Sequence, residues 1–190
     1  MNAVDPVALR KSRLKLLLVA SIFAAPFVLA MVLTLAGWQP TAKGNGLPVR
    51  PQRNFAQEQV PIHLADGNTW AWRDSEPRLT LVALPGPDCA ARCYGALTAM
   101  AKARVMLNRN QSRLRLLYVG TPPADARQRE GMANYWKIGE DVGGKLAPWR
   151  PGEPDSVGAL LVESDGTALA SYPAGFDASG LLQDMQKVIK

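Results

Sequence analysis

Residues 79–93 read LTLVALPGPDCAARC, and this stretch decides the fold of the chain. The run 79–84 is apolar without interruption and too short for a typical helix, so it predicts a central strand buried on both faces. The PGPD sequence at 85–88 predicts a turn. Cys89 and Cys93, the only cysteines in the chain, follow this turn at a spacing of four residues.

The segment from Cys89 to about Asn108 has the composition of a helix, with one apolar stripe that can face a sheet. Residues 114–119 (LRLLYV) predict the next strand. A right-handed crossover through the helix joins the two strands in parallel. We therefore expect Cys89 and Cys93 at the carboxyl end of a central strand, where open α/β sheets place their sites.

The other segments complete a mixed α/β plan with flanking helices, which resembles the plan of thioredoxin-like domains. The Asp-Gly pair in the second hairpin is a strong turn signal. The predicted elements are a hairpin of 60–64 and 69–72 around a turn at 66–68, a helix from Pro123 to about Trp136, an irregular segment over 139–154, a hairpin of 157–163 and 167–172 around a turn at 164–166, and a helix from about Asp177 to Ile189.

Residues 16–36 (LLLVASIFAAPFVLAMVLTLA) carry no charged side chain. At about 1.5 Å per residue, a helix of this length spans roughly 30 Å, the hydrocarbon thickness of a bilayer. We expect a transmembrane helix over 16–36 that anchors the chain in a lipid bilayer. A cleaved signal peptide ending at Val28-Leu29-Ala30 is the alternative, although the apolar core of such a peptide usually has only about 7–15 residues.

The charges that flank this run predict its orientation. Four basic side chains lie within residues 1–15, whereas Lys43 is the first charge after the run. The positive-inside bias predicts a cytoplasmic N-terminus over 1–15 and an exported C-terminal part. For a bacterial protein, this places one pass in the inner membrane and the domain in the periplasm.

The predicted membrane helix and the predicted domain are separated by a distinct segment. Residues 37–58 are rich in Gly, Pro, Asn and Gln and lack apolar periodicity, which predicts a linker. Trp38, near its start, suits the membrane–water interface. The exported thioredoxin-like domain is then expected over 59–190.

Charge and cysteine content limit the function. The formal net charge is +6, and the basic N-terminus accounts for much of it. A mild excess on the exported part is not a nucleic-acid signature, so we expect no nucleic-acid partner. An exported domain meets an oxidising compartment, where disulfides persist. With two cysteines, the core must be held by ordinary apolar packing.

Two stretches resemble the Sco/SenC proteins. The stretch 60–93 (VPIHLADGNTWAWRDSEPRLTLVALPGPDCAARC) is similar to the start of their domain, and 159–189 (ALLVESDGTALASYPAGFDASGLLQDMQKVI) is similar to their last hairpin and helix. The resemblance implies a membrane-anchored thioredoxin-like domain that handles copper or thiols during cytochrome c oxidase assembly. It also implies a respiratory complex or an assembly factor as protein partner.

The chain departs from the pattern of that family at two places. Tyr94 follows the second cysteine where the family usually has proline, and the segment 152–156 (GEPDS) lacks the metal-binding histidine expected before the final hairpin. The single histidine, His63, lies in the first predicted hairpin and does not match that ligand position. The sequence therefore resembles a divergent relative with an incomplete copper set.

The cysteine pair leaves three hypotheses open. As an oxidoreductase, the Cys89 thiolate attacks a partner disulfide and Cys93 resolves the mixed disulfide. As a copper site, the two thiolates bind Cu(I), which accepts sulfur ligands. As a scaffold, the domain binds a partner and the disulfide is structural. The helix dipole and Arg92 favour the Cys89 thiolate, while Asp88 opposes it, which predicts mild activation.

Other polar residues have simpler interpretations. His63 alternates with apolar neighbours in a predicted strand, and a hydrogen-bonded strand residue is a more common role than a metal ligand. Asp155 is among the aspartates in predicted turns, where short side chains bond the backbone. Pro154, just before a strand, is a candidate for a cis-proline facing the cysteines. The sequence contains no Walker loop, dinucleotide fingerprint or Cys/His zinc motif.

Overall fold

Helix α1 spans Pro6–Leu35 in a computed structural model that describes residues 6–35 and 44–189. Within α1, Lys15–Leu33 is long and apolar enough to cross a membrane, and Pro26 does not interrupt it. Its described side chains are mostly exposed, which suits an apolar surrounding. The expectation of an apolar helix that could span a membrane is confirmed. Trp38 lies outside the described residues.

The remainder of the chain forms a separate unit that begins at Gly44. Among its described residues, seven strands form a single sheet. The strands are β1 (Leu47–Pro48), β2 (Ile62–Leu64), β3 (Leu79–Pro85), β4 (Leu114–Val119), β5 (Lys137–Asp141), β6 (Val157–Val162) and β7 (Ala168–Tyr172). Their order in the sheet is β1-β7-β6-β3-β4-β5-β2.

Helices connect the parallel strands of this sheet. Helix α2 (Ala91–Val105) joins β3 to β4, and α3 (Ala126–Ala133) joins β4 to β5; both strand pairs are parallel. Strand β3 pairs antiparallel with β6, and β6 with β7, before α4 (Ala178–Val188) closes the chain. Short 3₁₀ helices occupy 108–113 and 147–149. The predicted mixed α/β sheet with flanking helices is confirmed.

Strand β3 lies at the centre of two apolar layers, and all its residues are buried. Successive side chains of a strand point to opposite faces. Leu81 belongs to a cluster with Leu97 of α2 and Leu181 of α4. Val82, the next residue, belongs to a second cluster with Phe55. The continuous apolar run that predicted a strand buried on both faces therefore has its structural explanation.

The second layer corrects the predicted linker. Residues 44–58 fold onto the sheet: β1 pairs with β7, and Phe55 is fully buried with its ring centroid 4.9 Å from that of Trp72. The Gly- and Pro-rich composition of this segment gives no indication that a few of its side chains, such as Phe55, are buried. Its described part belongs to the domain, because the second face of β3 needs an apolar cover.

The first predicted hairpin is only partly right. The Leu64 N–H donates to the Asn68 carbonyl at 2.7 Å, so the turn forms. Residues 69–72, however, are not a strand and make one isolated bridge, from Thr69 to His63. Strand β2 pairs instead with β5.

Strand β5 includes residues of the segment that was predicted to be irregular. Its only fully buried residue is Gly139, which has no side chain, so an apolar pattern could not reveal it. The strand is specified by its pairing with β4 and β2.

Two predicted helices are longer than the observed ones, whereas the closing helix agrees closely. Helix α2 starts at Ala91 and not at Cys89. Helix α3 starts only after Asp125, whose carboxylate accepts the Gln128 N–H and so caps the first turn. Asp177 caps α4 in the same way, at the predicted start of that helix.

A buried carboxylate fastens the start of the domain to its last helix. Asp184 accepts the backbone N–H groups of Asn45 at 2.6 Å and Gly46 at 3.0 Å, the Tyr172 hydroxyl at 3.1 Å and the Lys187 ammonium at 3.1 Å. Burial by itself would raise the pKa of Asp184. The hydrogen bonds from Gly46, Lys187, Asn45 and Tyr172 outweigh burial and hold this pKa below its usual range.

Asp184→Asn should destabilise the full-length protein by about 2 kcal/mol at pH 7, because hydrogen bonds to a buried charged group are lost. Since the folded pKa of Asp184 is lowered, its contribution is complete above the unfolded value of about 4 and is lost as the pH falls through the folded pKa. Urea denaturation in detergent micelles, followed by tryptophan fluorescence, should show the difference shrinking in acid. Asp66→Asn, in an exposed turn, is the control and should change stability by less than about 0.5 kcal/mol. A pH-independent difference would contradict this role of the charge.

Candidate active site

The structure brings the two predicted site residues together in a disulfide. Cys89 and Cys93 are joined, with their Cα atoms 5.2 Å apart, directly beyond the carboxyl end of β3. Cys89 lies in the turn before α2 and is half-buried, whereas Cys93 lies in the first turn of α2 and is fully buried. Cys89 is therefore the more exposed residue of the pair, although it also packs against the core cluster around β3.

The turn before Cys89 depends on a glycine. The Gly86 N–H donates to the Ser156 carbonyl at 2.9 Å. A Cβ at Gly86 would overlap the Glu153 carbonyl oxygen and lie 2.6 Å from Ser156 Oγ, so a larger residue does not fit without movement. Close approach of two backbone segments is a common reason for glycine at such a place. The turn is thereby held against the loop that precedes β6.

That loop also supplies the cap of α2. Asp155 Oδ1 accepts the N–H groups of Ala90 at 2.8 Å and Cys93 at 2.9 Å, and Oδ2 accepts that of Arg92 at 3.0 Å. Ala90 stands at the N-cap position and has no side-chain acceptor of its own. Asp155 therefore satisfies three backbone donors that a helix otherwise leaves to a local side chain or water.

Backbone hydrogen bonds also run in the opposite direction, from the 151–156 loop to the cysteine turn. The Asp155 N–H donates to the Pro87 carbonyl at 2.9 Å and to the Asp88 carbonyl at 3.1 Å. Asp155 and Asp88 both have positive φ, at 50° and 55°, a region that aspartate enters more readily than most residues. The cysteine turn and the 151–156 loop are thus fixed to each other in both directions.

The environment of Asp155 changes the expected electrostatics of the cysteines. The N–H of Cys93, followed by that of Arg92, lowers the pKa of Asp155 below its usual range, so its carboxylate is charged at neutral pH. The helix dipole was expected to favour the Cys89 thiolate. The amides of Ala90, Arg92 and Cys93 already bind this carboxylate, so they are not free to stabilise a thiolate as that expectation requires.

A groove of about 240 Å³ runs beside the disulfide. Its lining includes both apolar and charged side chains. They are those of Cys93, Ala96, Val157 and Phe176, together with Arg92, Glu153 and Asp155. Of the two cysteines, Cys93 lines this groove and Cys89 does not.

The residues present do not fit the set of copper ligands, two cysteines and a histidine, that the Sco/SenC resemblance implies. The described residues contain no group of three or more His, Cys, Asp or Glu side chains placed to hold a metal ion. His63 lies on β2, three strands away from β3, or about 14 Å at ordinary strand spacing. Both oxygens of Asp155 accept backbone N–H groups. The described residues therefore add no histidine to the two sulfurs.

Pro154 is not a cis-proline. Among the described residues, the cis peptide bond is Arg50–Pro51, at a distance along the chain from the cysteine turn. The carboxylate of the segment 152–156 that binds the cysteine turn is that of its neighbour Asp155, which the sequence analysis assigned to an ordinary turn. An available signal was Ala90 at the start of α2: a helix without a local capping side chain needs an acceptor from elsewhere.

The fold and the site define a thioredoxin-like domain with a disulfide at the start of its first domain helix. Residues 79–190 match the family model described as transmembrane-like, thioredoxin-like, C-terminal domain. The chain belongs to this family. No curated protein matches it.

Solved structures show the same fold at low identity, each with a TM-score of 0.50. Copper-bound ScoI of Arabidopsis thaliana is 14% identical and the match covers 68% of this chain and 95% of that chain. The bacterioferritin comigratory protein of Xanthomonas campestris is 11% identical, with 77% and 98% covered. The MTB protein dsbF, solved in mixed oxidized and reduced forms, is 12% identical, with 70% and 97% covered. At these identities, the likeness shows the fold alone.

Gly86→Ala should destabilise the protein by about 1–3 kcal/mol, because the new methyl group overlaps the backbone of the 151–156 loop. Gly95→Ala is the matched control: this glycine is exposed within α2, nothing lies near its Cβ position, and alanine should stabilise the helix by about 0.5–1 kcal/mol. Urea denaturation of the full-length protein in detergent micelles measures both. Effects of the same sign would show that the Gly86 contact is not tight.

Proposed function

We propose that this protein is a membrane-anchored thiol–disulfide oxidoreductase that acts on a disulfide of a partner protein. The observation that supports this most directly is the unequal exposure of the joined cysteines: Cys89 is half-buried and Cys93 fully buried. In thiol–disulfide exchange, the sulfur that a partner can reach attacks first, and the second sulfur of the pair then resolves the mixed disulfide.

The exchange begins with the dithiol form of the pair. The Cys89 thiolate forms a bond to one sulfur of the partner disulfide, and the other partner sulfur leaves as a thiolate. Cys93 loses its proton and bonds to the Cys89 sulfur, which releases the second partner thiolate. Two electrons pass to the partner, and the two protons given up by the cysteines end on its thiolates. A dithiol protein then restores the reduced pair by the reverse exchange.

The location proposed for this chemistry is the periplasmic side of a bacterial inner membrane. Residues 16–36 would anchor the chain in the bilayer, and the basic flank over 1–15 would stay in the cytoplasm. The resemblance to Sco/SenC proteins supports respiratory oxidase assembly as the context, with a respiratory complex or an assembly factor as partner.

Thiol exchange accounts for the site better than copper handling does. Cu(I) binds thiolates well, but the described residues add no third ligand to the two sulfurs of the pair. The nearby carboxylate, Asp155, is a hard oxygen donor that is already engaged by three backbone N–H groups.

A scaffold function is the second candidate. A purely structural disulfide would also be closed, and Asp155 would also bind the amides beside it. In that case the domain binds a partner, and the cysteines contribute to stability alone. The two functions differ in whether Cys89 forms a bond to a partner sulfur.

Cys93→Ala should convert the domain into a trap, because Cys89 can attack but nothing resolves the product. Full-length variant in detergent micelles, reduced and then freed of reductant, is mixed with insulin as a disulfide probe. We expect one mixed disulfide per chain through Cys89, detected by mass spectrometry and reversed by dithiothreitol. Alanine suits this fully buried position beside apolar neighbours.

Two variants complete the experiment. Cys89→Ser should form no adduct, and the wild-type dithiol should release two insulin thiols while it closes its own disulfide. If Cys93→Ala stays folded by circular dichroism yet traps nothing, and the wild-type dithiol stays reduced, the scaffold function replaces the proposed one.

Copper uptake is tested on the same preparation. We expect the reduced wild-type protein to lose Cu(I) to an excess of bicinchoninate, because the described residues add no third ligand and Asp155 places a negative charge beside the thiolates that would bind the ion. The absorbance of the chelator complex measures the transfer, with Cys89→Ser as the control. Stoichiometric retention of Cu(I) by the wild type, and not by the control, would establish copper handling instead.

A further inference from the structure

We infer that Asp155 biases the Cys89–Cys93 pair toward its disulfide form, which makes the dithiol form a strong electron donor. The equilibrium is a property of the pair itself; its use for reducing a partner rests on the proposed function. Asp155 is a positioning residue here, since it acts through the first turn of α2.

The first step of the argument is the placement of the carboxylate. It binds the N–H of Cys93 itself and that of Ala90, the neighbour of Cys89 in the chain. These bonds, at 2.9 and 2.8 Å, place a negative charge at the N-terminal end of α2. The same helix end would otherwise stabilise a thiolate of the pair. The residue comes from a loop 62 residues away from Cys93, so the contact is tertiary.

The second step concerns the form that the carboxylate opposes. The N-terminus of a helix stabilises an anion through its free N–H groups and its dipole. Asp155 already occupies the N–H groups of Ala90, Arg92 and Cys93. A thiolate formed on reduction would find these donors taken and a like charge beside it. The disulfide carries no charge and is not penalised.

The third step links thiolate stability to the redox equilibrium. A dithiol whose thiolate is stabilised gives up its electrons less readily, and the matching disulfide is a stronger oxidant. The reverse holds when the thiolate is destabilised. Asp155 therefore favours the disulfide and makes the reduced pair the better donor.

Other charges around the pair modify this effect. Arg92 Nε lies 3.6 Å from Asp155 Oδ2, but its side chain is 76% exposed, so water screens its compensation. Glu153 lines the same groove, and Asp88 precedes Cys89 in the turn. Arg150 Nη1 approaches the Pro85 carbonyl at 3.4 Å. The described charges that contact the first turn of α2 directly are those of Asp155 and Arg92.

The test compares Asp155→Asn with the wild type in the full-length protein in detergent micelles. Each is equilibrated with reduced and oxidised glutathione at pH 6 to 9, and the thiol fraction is counted by alkylation and mass spectrometry. Two glutathione thiols give up two electrons to the Cys89–Cys93 disulfide and form one glutathione disulfide. Asparagine keeps the shape and an acceptor oxygen but removes the charge.

We expect the variant to be easier to reduce, with an effect that grows with pH. An ordinary thiol, with a pKa of about 8.5, is neutral at pH 6, so the equilibrium constants should agree there within about twofold. At pH 9 a thiolate forms, and removal of a like charge should favour reduction by about tenfold. A purely structural role for Asp155 would give a ratio that does not change with pH.

Two further variants test the direction of the charge effect and control for a charge change elsewhere in the domain. Arg92→Gln removes the compensating cation and should make reduction slightly harder at pH 9, by up to about twofold. Asp165→Asn makes the same charge change in the β6–β7 turn, which lies at the opposite end of β6 from Asp155, and should leave the equilibrium unchanged. A ratio below about twofold at pH 9 for folded Asp155→Asn, or a variant harder to reduce than the wild type, would overturn the inference.

Failure of this inference is distinguishable from failure of the proposed function. The glutathione equilibrium needs no partner, whereas the insulin trap needs only a reactive Cys89. A flat pH profile with a successful trap removes the role of Asp155 alone. A clear pH profile with a failed trap keeps that role and leaves the domain a scaffold.

Discussion

Burial of β3 on both faces is the constraint on which the rest of the structure depends. Every residue of this strand is buried, between β4 on one side and β6 on the other. A strand of this kind needs an apolar layer above and below it. Helices α2 and α4 provide one layer. The other is built around Phe55 and Trp72, which is why a segment with the composition of a linker is folded onto the sheet.

Two aspartates join distant parts of this domain by the same physical device. Asp155 gathers the amides at the start of α2, and Asp184 gathers those of Asn45 and Gly46. A carboxylate that accepts several backbone N–H groups satisfies donors that would otherwise be unpaired, and its own charge is stabilised in return. Asp184 thereby fixes where the domain starts, while Asp155 fixes the geometry and the electrostatics of the cysteine turn.

The cysteine site therefore combines a half-buried Cys89 with a carboxylate bound to the amides at the start of α2. The exposed part of Cys89 favours exchange with a partner, whereas the charge of Asp155 favours the closed disulfide. The segment in which the Sco/SenC resemblance leads one to expect a histidine holds Asp155, whose carboxylate accepts backbone N–H groups at the start of α2.

Local sequence determined the elements whose signal is local. The apolar run of β3, the Asp165-Gly166 turn, the apolar helix near the N-terminus and the placement of Cys89 and Cys93 after a strand were all predictable, because hydrophobic periodicity and turn chemistry act over a few residues. Strand β5, the folding of residues 44–58 and the role of Asp155 were decided by tertiary structure. In each of these cases the stabilising partner lies far away in the chain, so the neighbouring residues do not identify it.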